Sequence, residues 1–191
     1  MKAPTFTSFF TLITFVSAAQ NSNSSQLHLQ TKLNLELQGV GISVEPALGK
    51  SFTTEFSGGI GTGGYTISEN NFTYTVSPLD PTVFFSLTPK FFYNRAHRLA
   101  KGKNSKLNAG NYFGLRVKYT SKGMSENSYS EDALLFNVHW GMQRALGNKW
   151  IMNTHFGVGY AMNATDLNHS SGTIYPALDL RFSYVFNWRR A

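Results

Sequence analysis

The stretch YPALDLRFSYVFNW, residues 175–188, alternates large apolar side chains with small or charged ones. One face contains Leu178, Leu180, Phe182, Tyr184, Phe186 and Trp188. The other face contains Asp179, Arg181, Ser183 and Asn187, with Val185 as the one apolar exception. A period of two places alternate side chains on opposite sides of an extended chain. The stretch therefore predicts a β-strand whose two faces meet different surroundings.

The same alternation recurs upstream, and no helical period fits these segments comparably. The segments lie within 33–44, 52–60, 83–93, 113–119, 134–142 and 150–162. In the first of them the apolar positions change from odd to even numbers near Gly39 and Gly41. A tight turn at 39–41 gives eight strands, whereas a β-bulge there gives seven. We favour eight.

Connection lengths add a topology to this strand count. Short connections at 47–50 and 146–148 alternate with long polar ones at 64–81, 120–132 and 163–173. Such alternation is typical of a barrel with turns at one end and loops at the other. An even number of strands places both termini at the short-turn end.

Composition indicates which face of the barrel is outside. The 191 residues include 14% charged and 15% aromatic residues and no cysteine, which excludes disulfides and thiolate metal sites. Beyond the N-terminus no stretch approaches the ~18 apolar residues of a spanning helix. The polar face is rich in Gly, Asn, Ser and Thr, and aromatic residues lie near strand ends of the apolar face. We therefore predict an all-β fold, an antiparallel up-and-down transmembrane β-barrel of about eight strands, over a soluble lipocalin-like barrel.

The predicted lumen contains a balanced set of charges. Four acidic residues face four basic ones, namely Glu36, Glu45, Glu55 and Asp179 against Lys90, Arg116, Lys118 and Arg181. Enclosed charges need partners, and a barrel of about eight strands is narrow enough for side chains to fill. We therefore expect a lumen plugged by an ion-pair network. His139 and His155 also face the lumen, and a loop at 146–148 would set them opposite each other, as a hydrogen-bonded pair or, less favoured, half a metal site.

The N-terminal segment and a basic run indicate where the protein is located and which partners it has. Residues 1–19 resemble a secretory signal peptide, with Lys2, a short apolar core and small residues before Gln20, so that 20–191 form the barrel domain. The net charge is +7, and much of the excess lies in the run 95–106 at the predicted periplasmic end. That run is too poor in aromatic residues for a nucleic-acid module, and we predict no nucleic-acid partner.

Five stretches together resemble the small outer-membrane β-barrel proteins of Gram-negative bacteria, the OmpA/OmpX-like group of porin-type domains. They are LNLELQGVGISVEPALGKSF (33–52), FSLTPKFFYN (85–94), NYFGLRVKYTS (111–121), WGMQRALGNKWIMNTHFGVGYAM (140–162) and YPALDLRFSYVFNW (175–188). The resemblance implies a monomer in the outer membrane that contacts lipid, lipopolysaccharide and the outer-membrane assembly machinery. The group has no common enzymatic activity.

No motif outweighs this interpretation. Residues 59–64 match G-x-G-x-x-G, but no helix is predicted to follow, so we predict no cofactor. Asp166, His169, Ser170 and Ser171 share one loop, which is weak evidence for a catalytic triad. The sequence therefore predicts a non-enzymatic protein with a structural, adhesive or protective role. A narrow pore for ions or small solutes is the alternative, and a soluble lipocalin-like carrier is the third.

Overall fold

A computed structural model describes residues 27–68, 71–128, 130–165 and 172–186 of the chain. In these residues eight strands form a closed antiparallel barrel, and two more form a separate hairpin. The barrel strands are β1 (Gln30–Glu36), β2 (Gly39–Glu45), β3 (Phe52–Gly61), β6 (Thr82–Phe91), β7 (Gly110–Thr120), β8 (Ala133–Leu146), β9 (Trp150–Asn163) and β10 (Thr173–Val185). The hairpin strands are β4 (Gly63–Ser68) and β5 (Asn71–Val76).

The barrel closes where β1 pairs with β10, and every other barrel strand pairs with its neighbours in the chain. The predicted eight-stranded barrel is thus confirmed. The turn that makes the eighth strand lies at 37–38, two residues between β1 and β2, and not at 39–41. Gly39 and Gly41 belong to β2, where Gly39 pairs with Gly61 and Gly41 with Gly59 of β3.

The two ends of the barrel carry different connections. One end, here called the terminal end, holds the start of β1, the end of β10 and the connections 46–51, 92–109 and 147–149. The other, the loop end, holds the turn 37–38 and the connections 62–81, 121–132 and 164–172. The connection 92–109 contains a short helix, α1 (Arg95–Ala100), and a 3-10 turn at Lys106–Asn108. The basic run 95–106 therefore contains regular local structure at both of its ends.

The two faces of each alternating segment become the outer surface and the interior of the barrel. Apolar side chains project outward and are well exposed, as Ile174 (73%), Leu178 (68%) and Ile42 (64%) illustrate. Charged side chains of the same strands are buried inside, as Lys32 (2%) and Glu45 (0%) illustrate. In the part of the chain that the structure describes, no helix has the length and apolar character needed to cross a membrane.

Candidate functional site: the filled lumen

Glu55 on β3 is the centre of the charge network inside the barrel. Its Oε2 accepts hydrogen bonds from the Nζ atoms of Lys32 and Lys90, the latter at 3.0 Å. Its Oε1 accepts one from the Arg181 guanidinium, which comes from β10 on the far side of the barrel closure. All four side chains are almost fully buried. One carboxylate therefore ties together three strands that do not adjoin it in sequence, β1, β6 and β10.

Glu45 and Glu36 extend this network in two directions. Glu45 Oε2 accepts hydrogen bonds from both Lys32 and Lys90, and its Oε1 accepts a 2.8 Å hydrogen bond from Thr53. Glu36 lies 3.2 Å from Arg181 Nη2. Because a buried charge without a partner is costly, this sharing lets two lysines and two carboxylates neutralise one another without water.

A second pair lies on the β7–β10 side of the lumen. Arg116 Nη1 donates a 2.9 Å hydrogen bond to Asp179 Oδ2, and its Nε donates to Thr88 Oγ1 at 3.2 Å. Arg181 Nη2 is 3.7 Å from the same Asp179 oxygen, so this pair is continuous with the Glu55 network. Lys118 takes another kind of contact, with its Nζ 5.1 Å from the Phe84 ring centre and 5.9 Å from that of Tyr65.

The histidines stack but do not stand directly opposite each other. Their rings lie 4.1 Å apart, centre to centre, and His139 Nδ1 is 2.7 Å from Asn137 Oδ1. The turn occupies 147–149 instead of the predicted 146–148, so His139 pairs with Gly157 and His155 with Gly141. The reason is Gly147, whose φ of +72° suits glycine and places the turn one residue later. Within the described ranges no group of three or more His, Cys, Asp or Glu side chains is arranged to hold a metal ion.

An apolar cap lies at the loop end of the lumen, and we define it as the hairpin side chains Tyr65, Ile67 and Phe72 with the barrel residues they cover. Those barrel residues face inward from β8, β9 and β10 and are Ala133, Leu135, Ala161, Tyr175 and Ala177. Phe72 stacks on Tyr175 with ring centres 4.6 Å apart. Burial raises the pKa of the Tyr65 hydroxyl above its ordinary value. The hairpin thus covers the charged centre with a hydrophobic lid.

The terminal end is closed by the connection 92–109. Leu107 packs with Ile151 and Val185, all fully buried, which explains why Val185 breaks the polar pattern of its face. Phe92 packs with Leu27 and Tyr112 in a neighbouring cluster. The lumen therefore has three levels, with apolar contacts at both ends and ion pairs between them.

The structure also places functional residues that the sequence analysis did not include. Lys32 is a fifth basic residue in the lumen, so the charges are not four against four. Its position, alternating with Leu33 and Leu35, is the signal that would have found it. The hairpin begins at Gly63 and falls otherwise within 64–81, which the sequence predicts as a polar connection, although Tyr65 and Ile67 alternate there. The predicted signal peptide 1–19, the 166–171 cluster and Trp188 lie outside the described residues.

No protein-family model and no curated protein matches this chain. Among solved structures, it is similar to the solid-state NMR structure of outer membrane protein AlkL in DMPC lipid bilayers. That match has a TM-score of 0.41 and 11% sequence identity, and it covers 91% of this chain and 96% of the other. The barrel described above rests on the strand pairing of this chain itself.

Proposed function

We propose that this protein is a non-enzymatic integral outer-membrane β-barrel with a plugged lumen. The observation that carries the proposal is the distribution of its side chains, with apolar residues exposed around the wall and charges buried within. An apolar wall of this extent is unfavourable in water and favourable against lipid acyl chains. A closed barrel also leaves no unpaired strand edge in the hydrocarbon region.

Aromatic residues near the terminal end of the outer wall support insertion of the barrel into a bilayer. Trp140 Nε1 donates a 2.8 Å hydrogen bond to the Tyr93 hydroxyl, and Lys149 Nζ donates to the Tyr184 hydroxyl at 3.2 Å. Trp150 packs edge-on against Tyr184. Aromatic side chains with polar tips are favoured where hydrocarbon meets headgroups. These four aromatic residues lie at the terminal end, which we assign to the periplasmic side, since β1 begins and β10 ends there.

The filled lumen supports a surface role over transport. Along the lumen an ion would meet the cap, the Glu55 network and the Leu107 cluster, and we infer that its passage would break buried contacts of each. We therefore infer a structural, adhesive or protective role that uses the connections of the loop end. A narrow pore is the alternative, and it requires the hairpin to leave the lumen. A lipocalin-like carrier would need an apolar interior, which is the reverse of the arrangement here.

The remaining parts of the proposal concern export and contacts. Residues 1–19 would act as the signal peptide and be removed, leaving 20–191 as the mature barrel. Lipid, lipopolysaccharide and the outer-membrane assembly machinery would be the partners of a monomer. The finer resemblance to the OmpA/OmpX-like group stays a prediction.

Membrane integration is tested by fractionation. The full chain is expressed in a Gram-negative host, and the membranes are washed with alkaline carbonate. We expect the protein to stay in the outer-membrane pellet and to migrate differently on gels before and after boiling, because a folded barrel resists detergent. Recovery in the soluble periplasmic fraction would overturn the proposal and favour a soluble barrel.

The plugged lumen is tested separately by conductance. If the lumen is plugged as proposed, purified barrel inserted into planar bilayers should give no steady single-channel currents. Reproducible current steps from the wild-type protein would support the pore alternative. A double variant, Tyr65→Ala with Ile67→Ala, truncates two side chains of the cap. A larger current in this variant would show that the current passes the cap.

A further inference from the structure

The two ends of the barrel have opposite charge. At the terminal end the connections 46–51, 92–109 and 147–149 contain no Asp or Glu. The basic residues at or beside this end are Lys50, Arg95, Arg98, Lys101, Lys103, Lys106, Arg144 and Lys149. At the loop end the described connections contain Asp80, Glu126, Glu131 and Asp132 against Lys122. The positive excess of the chain is thus concentrated at one end of the barrel, outside the lumen.

Part of this charge is fixed on the outer wall by a chain of hydrogen bonds. Arg144, near the end of β8, donates from Nη2 to Asn111 Oδ1 at 2.6 Å and from Nη1 to the Gly110 carbonyl at 3.0 Å. Asn111 Nδ2 lies 3.4 Å from the Tyr93 hydroxyl, which also accepts from Trp140. Because the Asn111 and Gly110 acceptors are neutral, these hydrogen bonds orient the Arg144 guanidinium without neutralising its positive charge.

Helix α1 brings a second arginine to the same place. Asn94, the residue before helix α1, accepts a 2.8 Å hydrogen bond from the Asn111 backbone N–H, so the helix begins beside the Arg144 site. Arg98, in that helix, repels the like charges of Arg95 and Arg144. Its Nη2 donates to the Asn104 carbonyl at 2.7 Å. Burial, followed by the charge of Arg98, lowers the pKa of Arg95 to about 10. The folded protein thus holds mutually repelling arginines beside an aromatic pair, an arrangement that an anion would stabilise.

We propose that Arg98 and Arg144, beside Tyr93 and Trp140, bind the phosphate of an anionic phospholipid headgroup in the leaflet at the terminal end. Two guanidinium groups can each donate charge-assisted hydrogen bonds to phosphate oxygens. The Tyr93–Trp140 pair supplies an apolar wall for the acyl chains below that phosphate. Phe113 extends this wall, with its ring centre 5.2 Å from that of Tyr93. The inference rests on the proposed membrane insertion, since only an inserted barrel presents this wall to a leaflet.

The test is native mass spectrometry of the folded full-length mature barrel released from detergent with equimolar phosphatidylglycerol and phosphatidylcholine. We expect phosphatidylglycerol adducts to exceed phosphatidylcholine adducts about 25-fold, which is about fivefold for each of the two arginines. Each lost cation near an anionic lipid should reduce that preference about fivefold. Arg98→Gln and Arg144→Gln should therefore each weaken it, and the double variant should abolish it. Lys122→Gln at the loop end is the matched control and should leave the preference unchanged.

Three outcomes would overturn the inference. Equal adducts of the two lipids would do so, as would an unchanged preference in the double variant that still migrates as a folded barrel. Loss of the phosphatidylglycerol adduct on addition of inorganic phosphate would show a site for free phosphate instead of lipid. The membrane proposal fails differently, since the protein would then not insert into phosphatidylcholine vesicles at all.

Discussion

The centre of the lumen and its cap at the loop end are both lined by inward-facing side chains of the barrel wall, yet they are built from opposite chemistry. At the centre, Glu55 binds three cations that arrive from three strands of the closed wall. At the cap, Tyr65 and Ile67 arrive on a hairpin whose two strands pair with each other, with one bridge from Tyr65 to Glu131, and it packs on small inward residues such as Ala133 and Ala161. Ion pairs are used where the wall fixes their geometry, and hydrophobic contacts are used where a separate segment must dock.

This difference has a physical reason. A buried ion pair stabilises only when its geometry is well held, because the cost of desolvation is large. Hydrophobic contacts are non-directional and tolerate small displacements. We therefore expect damage to the centre to destabilise the whole barrel, and damage to the cap to open only the hairpin.

The largest effect is expected for Glu55→Gln. The amide keeps the shape of the side chain but removes the charge that Lys32, Lys90 and Arg181 share. Removal of one partner from a buried ion-pair network costs about 3–5 kcal/mol. The free energy of unfolding, measured by urea titration of the barrel in detergent, should fall by that amount. Glu126→Gln, an exposed residue in a loop-end connection, is the control and should change it by less than about 0.5 kcal/mol.

Ile67→Ala should lower the free energy of opening the hairpin by about 2 kcal/mol and leave the rest of the barrel unaffected. Ile67 is buried in the cap, and a large-to-small change there leaves a cavity under the hairpin. Hydrogen exchange of the β4 and β5 amides should accelerate, while exchange of β8 and β9 amides stays unchanged. Val76→Ala truncates an exposed side chain of the same hairpin and is the matched control. Acceleration in β8 and β9 as well would mean that cap and wall unfold together, contrary to the comparison.

Arg116→Met should have a smaller effect than Glu55→Gln, because Asp179 keeps a second cation. The variant removes the 2.9 Å hydrogen bond to Asp179, while Arg181 stays 3.7 Å from the same oxygen. A hydrogen bond to a charged group contributes about 1.5 kcal/mol at the lower end of the usual range. Urea unfolding of the single variant, of Asp179→Asn and of the double variant should give a non-zero coupling energy. Unchanged stability in both Arg116→Met and Glu55→Gln would mean that the network does not hold the barrel together.

The sequence predicted the centre better than the cap, for reasons that the residues make clear. Strict alternation over long strands assigns each side chain to a face, so the inward position of Glu55 and Arg181 follows from counting. Alternation does not reveal which inward residues touch, because that depends on how strands are displaced around the closed barrel. Lys32 was missed because β1 was taken to begin at Leu33, three residues after its start at Gln30.

The cap was missed because its signal is short and its partners are distant. Tyr65 and Ile67 alternate over only one strand of six residues, inside a segment rich in Gly, Thr and Asn. Their burial depends on small side chains of β8, β9 and β10, which no local pattern of 64–81 contains. Likewise, a one-residue shift of the turn at Gly147 separates the histidines from the predicted pairing. Tertiary contacts of this kind are not encoded in the period of any single segment.

The smallest expected effect concerns the stability of the hairpin at alkaline pH. Burial, followed by the charges of Tyr65 and Asp179, raises the pKa of Tyr74 from 10.0 to about 12, and its hydroxyl donates a 3.1 Å hydrogen bond to the Leu37 carbonyl. Between these two values the unfolded chain releases a proton that the folded hairpin keeps. The free energy of unfolding should therefore fall as the pH rises through this window, and Tyr74 should add no pH dependence below it.

The measurement is the ultraviolet absorbance of tyrosinate in the wild-type barrel minus that in Tyr74→Phe. The difference should titrate near pH 12, because only the folded hairpin delays ionisation. Since Tyr74 is half buried, solvent screens much of its interaction, and Tyr74→Phe should hardly change stability at neutral pH. A difference curve centred on the ordinary pKa of tyrosine would mean that the hairpin leaves the barrel in solution. The cap would then be a transient cover, and only the ion-paired centre would close the lumen.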